Sequence, residues 1–400
     1  MPSLTKKNRI ISFVYIILCM GFLLKIKNTS NTPNVTSAGG IWNVVTVALY
    51  VIWFFIVIVF NKKIALRTHG MFGVLFSIMA MISSIMHTGG YTVSFLYNLA
   101  IIPYFMFILS LFTELGRRYG EESLQLGIYS ITFFLISLYV GYFMIGYQST
   151  GDSMYVITDV YYSLNMLPLL LLVKNKIVKY ASVGLTAFIL ILSGKRTGFI
   201  ALLIGMLIYY IVTAYCNKNL KEKTKTIFGM IAAMVVIGFL FTYLTKFYEL
   251  DLLERLETAF NEGEGGREKI WGKIIEDLRE SSLFEILFGH GLKSVPALIG
   301  SKNALAHCDY LEIIYDYGII AFIFYIGFWL AIIGKVISSI INKSQYAGIL
   351  AFAVVIAMFL SMFSNYVIDA TYITYSMIIF GIIFGIMERE EKNYEQAHSA

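Results

Sequence analysis

The sequence predicts an all-α, polytopic membrane helix bundle of about 12 transmembrane helices, with one large extracytoplasmic loop that contains amphipathic helices. Of its 400 residues, 58% are hydrophobic and only 14% are charged, whereas soluble domains carry about a quarter charged residues. Apolar runs of about 20 residues recur along the chain, and each is long enough to cross a hydrocarbon core of roughly 30 Å. One long polar segment, between Thr245 and Gly318, interrupts this pattern.

The apolar runs place the candidate spans near 10–24, 41–60, 71–86, 94–112, 125–147, 156–173, 180–193, 198–215, 226–244, 318–341, 346–364 and 371–387. Three parts are therefore predicted. Nine spans form an N-terminal bundle over 1–244, and the large loop covers 245–317. Three further spans and a short cytoplasmic tail occupy 318–400.

Basic residues indicate the orientation of the spans, because short cytoplasmic loops of membrane proteins carry an excess of Lys and Arg. With both termini cytoplasmic, the inside segments hold 19 of the 31 basic residues, the short outside loops hold 4, and the long segment holds the other 8. The sequence therefore predicts cytoplasmic termini. It places the large loop and the Lys195-Arg196 turn on the outer face.

The large loop is predicted to be folded, because apolar residues recur in it at helical spacing. The two amphipathic stretches contain Leu252, Leu253, Leu256 and Phe260, then Ile270, Trp271, Ile274, Ile275 and Leu278. Such helices are expected to lie on the membrane surface or to cap the bundle. The loop has 14 acidic and 8 basic residues between Lys246 and Asp316. Because the basic residues elsewhere lie mainly at predicted cytoplasmic helix ends, no nucleic-acid partner is expected.

Two positions in the outer region carry basic side chains suited to an anionic ligand. Lys195 and Arg196 lie in a tight turn between small residues, and a guanidinium binds phosphate oxygens in a bidentate manner. Arg267 follows two glycines at the start of an amphipathic helix, where a bound anion would offset the unfavourable interaction of its charge with the helix dipole. The alternatives are snorkelling to the interface for the turn and a solvated surface arginine for Arg267.

His307 is the candidate for acid–base chemistry. It precedes Tyr310, Leu311 and Ile314, which are predicted to share one helical face where the loop returns to the membrane. A neutral imidazole there can take a proton from a sugar hydroxyl; the alternative is a hydrogen-bonded interface residue. The cysteines and histidines have no metal-binding or disulfide spacing, so no metal site is predicted.

Four motifs, in this order, resemble the bacterial O-antigen polymerase and O-antigen ligase superfamily. They are Ser193-Gly194-Lys195-Arg196-Thr197-Gly198, Gly266-Arg267-Glu268-Lys269-Ile270-Trp271, Phe288-Gly289-His290-Gly291-Leu292, and Ala306-His307-Cys308-Asp309-Tyr310-Leu311-Glu312-Ile313 with Asp316-Tyr317-Gly318-Ile319-Ile320 behind it. The similarity covers about residues 190–325, and the N-terminal half is similar in hydropathy alone.

The resemblance implies a glycosyltransferase of the bacterial cytoplasmic membrane that uses glycans carried on undecaprenyl diphosphate, with no cofactor and no metal. It implies that Arg196, Arg267 and Lys195 bind the diphosphate and that His307 acts on the acceptor hydroxyl. Supporting roles are expected for Asp309, Tyr310, Glu312 and Arg279. The family usually has Asn after this histidine, whereas this chain has Cys308, so no role is carried over for that side chain.

The surface composition, rich in Lys, Asn and Ile, is common in low-GC Gram-positive bacteria, which generally lack a lipid A acceptor. It favours a polymerase of capsular or exopolysaccharide repeat units over the alternative, an O-antigen ligase. A lipid-linked oligosaccharide flippase and a solute transporter are alternatives of other classes; the former seldom needs so long an outer loop, and the latter usually has ionisable residues at mid-membrane. The expected partners are the bilayer, the lipid-linked oligosaccharide, a chain-length regulator and a flippase.

Overall fold

The computed structural model describes residues 68–90, 92–121, 160–173, 175–192, 196–247, 267–300, 305–367 and 370–399, and these residues form helices and no strands. The helices are α1 Thr68–Met86, α2 Val93–Ile101, α3 104–121, α4 Val160–Leu170, α5 Lys176–Leu192, α6 Arg196–Cys216, α7 Leu220–Phe247, α8 Arg267–Glu280, α9 Leu283–Phe288, α10 Ser294–Ile299, α11 Asp309–Ile341, α12 Ala347–Phe363 and α13 Ala370–Ser399. The predicted spans 10–24, 41–60 and 125–147 lie outside the described residues.

Five helices in the described part of the chain are long and apolar enough to cross a membrane. They are Thr68–Met86, Asn98–Glu121, Thr197–Cys216, Leu220–Tyr243 and Asp309–Ile341. Each overlaps a predicted span, and the shorter apolar helix Ala347–Phe363 overlaps the span predicted at 346–364. The all-α membrane architecture is therefore confirmed. The number of twelve spans, the outward position of the loop and the three-part division stay predictions.

The chain divides into two compact units, one formed by 1–64, 107–194 and 374–400, the other by 65–106 and 195–373. In the first unit, α3 packs closely on α13, because a Cβ on Gly381 would meet the backbone of Leu109. Small residues allow membrane helices to approach in this way.

Asn165 also belongs to the first unit, where it is a buried polar residue of α4. Its amide donates to the Tyr161 carbonyl and accepts a hydrogen bond from Ser376 of α13. These two bonds account for an amide among apolar side chains, since a buried polar group needs a partner.

The second unit is built from antiparallel helix pairs. Close contacts join the end of α1 to the first half of α11, where the Ser83 hydroxyl donates to the Asp316 carbonyl at 2.9 Å. In the pair α6 and α12, Gly205 faces Phe352 and Gly348 faces Thr213. The ring of Phe199 in α6 stacks on that of Phe241 in α7 with centroids 5.1 Å apart.

These pairings bring several helix termini to one end of the second unit, which we name the loop end. The end of α1, the start of α6, the end of α7, the start of α11 and the end of α12 lie there. Helices α8, α9 and α10, from the predicted large loop, fill the same end by packing against α11 around Ile274, Val295, Ala306 and Tyr315. The helices of the predicted polar loop therefore pack at the end of the second unit where apolar helices terminate.

Helix α11 is broken at Gly318, which has a φ of 82° and a ψ of 170°. In a straight helix, Tyr310 and Tyr325 would be separated by about 22 Å along the axis, yet their ring centroids are 6.2 Å apart. Residues 309–317 therefore fold back against 319–341. The predicted span 318–341 begins at this break.

Candidate active site at the loop end

The break in α11 is held by the Gly289-His290-Gly291 motif. The backbone N–H groups of His290 and Gly291 donate to the carbonyls of Tyr315 and Asp316 at 2.9 and 2.8 Å. Carbonyls in the last turn of a helix have no partner within the helix, so this motif supplies the donors that the interruption removes. A Cβ on Gly318 would collide with the Leu287 carbonyl oxygen, which explains the glycine there.

Asp316 reinforces the same region with its carboxylate. One oxygen accepts from the N–H of Lys293 at 3.0 Å, and the other accepts from those of Ser294 and Val295. These are the first N–H groups of α10, which no helical carbonyl can satisfy. We define the residues 287–295 and 315–318, which cross at this point, as the hinge clamp.

The residue before His307 is fixed from two sides. The N–H of Ala306 donates to Glu312 Oε2 at 3.0 Å, and its carbonyl accepts from the Trp271 indole Nε1 at 2.7 Å. Ala306 and Glu312 are fully buried. The peptide group that leads into His307 is therefore anchored both to α8 and to α11.

His307 itself has a φ of 52°. A left-handed conformation costs a residue with a Cβ roughly 1–2 kcal/mol, and such strain persists only where the surroundings impose it, often at functional sites. Here the anchored Ala306 on one side and the start of α11 on the other impose it. The direction of the imidazole is therefore set by these contacts and not by the intrinsic backbone preference of histidine.

The connection between α12 and α13 also contacts His307. Asn365 Nδ2 lies 3.2 Å from His307 Nδ1. The same connection is held to α11 by Asp309, whose Oδ2 accepts from the Ser361 hydroxyl and from the Val367 N–H, each at 2.9 Å. We name this arrangement of His307, Asp309, Ser361, Asn365 and Val367 the His307 corner.

Arg267 is the first residue of α8 and lies one turn before Trp271, on the same helix face. Because the Trp271 indole contacts the residue next to His307, the start of α8 is directed toward the His307 corner. Arg279 lies at the opposite end of α8, about 18 Å along the axis from Arg267, and is exposed. The structure therefore separates Arg279 from Arg267 along α8.

Arg196 is the first residue of α6. In the antiparallel pair of α6 and α12, Gly205 meets Phe352 and Ile356, and Gly348 meets Thr213. Following that register back to the start of α6 puts the Arg196 backbone opposite the end of α12 at Phe363, two residues before Asn365. Lys195 lies outside the described residues.

The candidate supporting residues occupy defined places. Asp309 and Glu312 are fully buried, and both make the anchoring hydrogen bonds given above. The Tyr310 hydroxyl lies 3.6 Å from the sulfur of Met358 in α12. Their described contacts hold the His307 corner together.

Cys308 occupies the N-cap position of α11 and makes no side-chain capping bond. Asn is among the preferred N-cap residues, whereas Cys is not, so the departure from the family pattern falls on a helix start. Burial raises the pKa of the Cys308 thiol, which disfavours the thiolate.

Residues 181–326 match the family model described as O-antigen ligase. The match confirms the resemblance to the O-antigen ligase and polymerase superfamily. No curated protein gives a significant match to the chain. The O-antigen ligase segment, as we call 181–326, is similar to a family of membrane enzymes of the glycosyltransferase type that act on a lipid-linked glycan.

The O-antigen ligase segment contains Arg196, Arg267 and His307, but it ends 39 residues before Asn365. Sequence reasoning missed Asn365 because an amide at the end of an apolar span resembles an ordinary turn residue. It also missed the anchoring by Trp271, since a tryptophan on an amphipathic face is expected at a membrane surface. No pattern in the sequence marks either residue as a neighbour of His307.

Proposed function

We propose that this chain polymerises undecaprenyl-diphosphate-linked oligosaccharide repeat units into a capsular or exopolysaccharide chain at the outer face of the cytoplasmic membrane. His307 acts on the acceptor hydroxyl in this reaction. Arg196 and Arg267, with Lys195, bind the diphosphate of the donor. Neither a metal nor a cofactor takes part.

The observation that carries the proposal is the convergence of three separate chain segments at the loop end. The anchored His307 peptide contacts α8, which begins with Arg267. The start of α6 at Arg196 lies opposite the end of α12, two residues before Asn365, which contacts His307. Because α6 begins and α12 ends here, a lipid-linked diphosphate in the bilayer can reach these groups from the side.

The chemistry follows from an activated donor. The acceptor hydroxyl oxygen attacks the anomeric carbon of the donor sugar, and the bond from that carbon to the diphosphate oxygen breaks. The lipid diphosphate leaves with the electron pair while His307 takes the hydroxyl proton. Negative charge grows on the leaving group, and fixed guanidinium groups stabilise such charge most in the transition state.

Polymerase and ligase differ in the acceptor, because a polymerase uses a second lipid-linked repeat unit whereas a ligase uses a different molecule. The test supplies the purified full-length protein with lipid-linked repeat units alone. We expect a ladder of polymer and release of one undecaprenyl diphosphate for each unit added. Transfer that requires a separate acceptor would indicate a ligase. Transbilayer movement without diphosphate release would indicate a flippase.

The diphosphate role is tested by Arg267→Lys and Arg196→Lys, which keep the charge and remove the bidentate fork. We expect lower kcat/KM in both. Arg389→Lys in α13 is the matched control, because Arg389 contacts the Arg118 carbonyl in the first compact unit. Equal activity in all three variants would contradict the assignment of the two arginines.

A further inference from the structure

Asn365 lies outside the O-antigen ligase segment and contacts the proposed base. It belongs to the connection between α12 and α13, and its amide nitrogen lies 3.2 Å from His307 Nδ1. Its side chain is buried, so the contact is made away from solvent. A buried amide beside one ring nitrogen determines which nitrogen of the imidazole carries the proton.

The connection that carries Asn365 is fixed independently of His307. Asp309 Oδ2 accepts from the Val367 N–H two residues later and from the Ser361 hydroxyl four residues earlier. The Ser361 hydroxyl also lies 2.8 Å from the Tyr325 hydroxyl of α11. Asn365 is therefore held against the imidazole by bonds on both of its sides.

The orientation of the amide decides what His307 can do. With Nδ2 toward the ring, Nδ1 has to accept the hydrogen bond, and the ring proton is on Nε2. In that orientation Asn365 Oδ1 is buried and has no hydrogen-bond partner among the described residues, a costly state for an acceptor. A half-turn of the carboxamide exchanges its two ends, so that Oδ1 accepts from Nδ1–H and Nδ2 takes the buried position that Oδ1 leaves.

We propose that Asn365 is a positioning residue whose carbonyl oxygen accepts the Nδ1 proton of His307, so that Nε2 is the basic nitrogen that receives the acceptor hydroxyl's proton. This inference rests on the proposed function. The pairing of an imidazole Nδ1–H with a fixed oxygen orients the ring and stabilises the imidazolium that forms when Nε2 takes a proton.

Two variants test the role of the carbonyl oxygen. Asn365→Leu removes the acceptor, and we expect kcat to fall about 10- to 100-fold, as for other partners that orient a functional imidazole, with little change in KM for the donor. Asn365→Asp has the same shape and only accepts hydrogen bonds, so it retains activity. Its negative charge favours the imidazolium and moves the acid limb of the kcat profile to higher pH, by about one unit.

The wild-type and variant proteins share the other titratable groups near His307, so the difference between their pH profiles reports on position 365. These groups are Cys308, Asp309, Tyr310 and Glu312 on the His307 segment, Tyr325 on the following helix, Tyr366 beside Asn365, and Arg267 on α8. Asn342→Asp is the matched control: it makes the same change in the exposed C-cap of α11, where Asn342 contacts Ser338. We expect a wild-type profile for it.

Two results would overturn the inference. One is an Asn365→Asp protein that is folded yet inactive at every pH, because His307 would then need the amide as a donor. The other is wild-type kcat and pH profile in Asn365→Leu. Both are distinct from failure of the proposed function, which appears as absence of polymer and of diphosphate release with the wild-type protein.

Discussion

The hinge clamp and the His307 corner each contain a histidine from the same predicted loop, yet they hold it differently. His290 Nδ1 lies 3.1 Å from the Tyr315 carbonyl oxygen and Nε2 lies 3.1 Å from the Ser281 hydroxyl, while its ring stacks on Tyr315 with centroids 4.3 Å apart. His307 has a left-handed backbone and contacts an amide from a distant helix connection. The His290 imidazole therefore connects neighbouring parts of the fold, whereas the His307 imidazole is held in place by residues from other segments.

A motif match therefore does not distinguish a histidine that stabilises the site from one that takes part in the reaction. Both motifs place a histidine beside small or buried residues. The hinge clamp satisfies helix ends and holds α11 at its break, and thereby sets where the His307 corner stands. Variants in the two regions should therefore separate stability from activity.

The largest effect is expected for His307→Ala. Loss of a positioned general base typically lowers the rate about 10²- to 10⁴-fold, and the side chain contributes little to the anchoring made by Ala306 and Asp309. In a strain without the native gene, the variant should leave single repeat units on the lipid carrier and give no ladder. Normal polymer from well-expressed protein would show that His307 is structural.

Gly318→Ala should damage the hinge clamp and through it both regions. A Cβ there combines about 1–3 kcal/mol of strain, because this backbone conformation is essentially confined to glycine, with a collision at the Leu287 carbonyl, so we expect about 3 kcal/mol or more of destabilisation. Thermal unfolding of the purified protein in detergent measures it.

Gly334→Ala on the same helix is its control, because a Cβ there meets no atom within 4 Å among the described residues. It should change the free energy of unfolding by less than about 1 kcal/mol. Equal midpoints for the two variants would mean that Gly318 is not needed for the break.

His290→Ala should lower stability more than activity. It removes the ring contacts with Ser281 and Tyr315, and we expect about 1–2 kcal/mol of lost stability. Below the unfolding temperature, the specific activity of the folded fraction should stay within a few-fold of wild type. A drop as large as that of His307→Ala, without loss of stability, would assign chemistry to His290.

The smallest effect concerns the capping box at the start of α9, which adjoins the hinge clamp. Hydrogen bonds from the Ser282 hydroxyl and N–H lower the pKa of Glu285. Its folded-state pKa lies below the unfolded value, so its contribution is present above the usual Glu range and is lost as pH falls through the folded pKa. The melting-temperature difference from Glu285→Gln should be small and shrink on acidification; a difference that grows would contradict this.

The membrane class and most of the spans in the described residues follow from the amino-acid sequence alone. Runs such as 198–215 and 226–244 are apolar on all sides, and only a helix satisfies its own backbone groups in a bilayer. The motif residues Arg196, Arg267 and His307 were also visible in the sequence, because charged and titratable groups stand out in an apolar chain.

The contacts around these residues depend on packing between distant helices. The fold-back at Gly318 depends on donors from Gly289-His290-Gly291, and the partner of His307 lies 58 residues away in another helix connection. Local patterns report the periodicity of one helix, whereas these contacts arise from packing between helices. Spacing along the chain therefore predicted which residues could take part in chemistry. Contacts between distant segments distinguish His290, which stabilises the fold, from His307, which other segments hold in position.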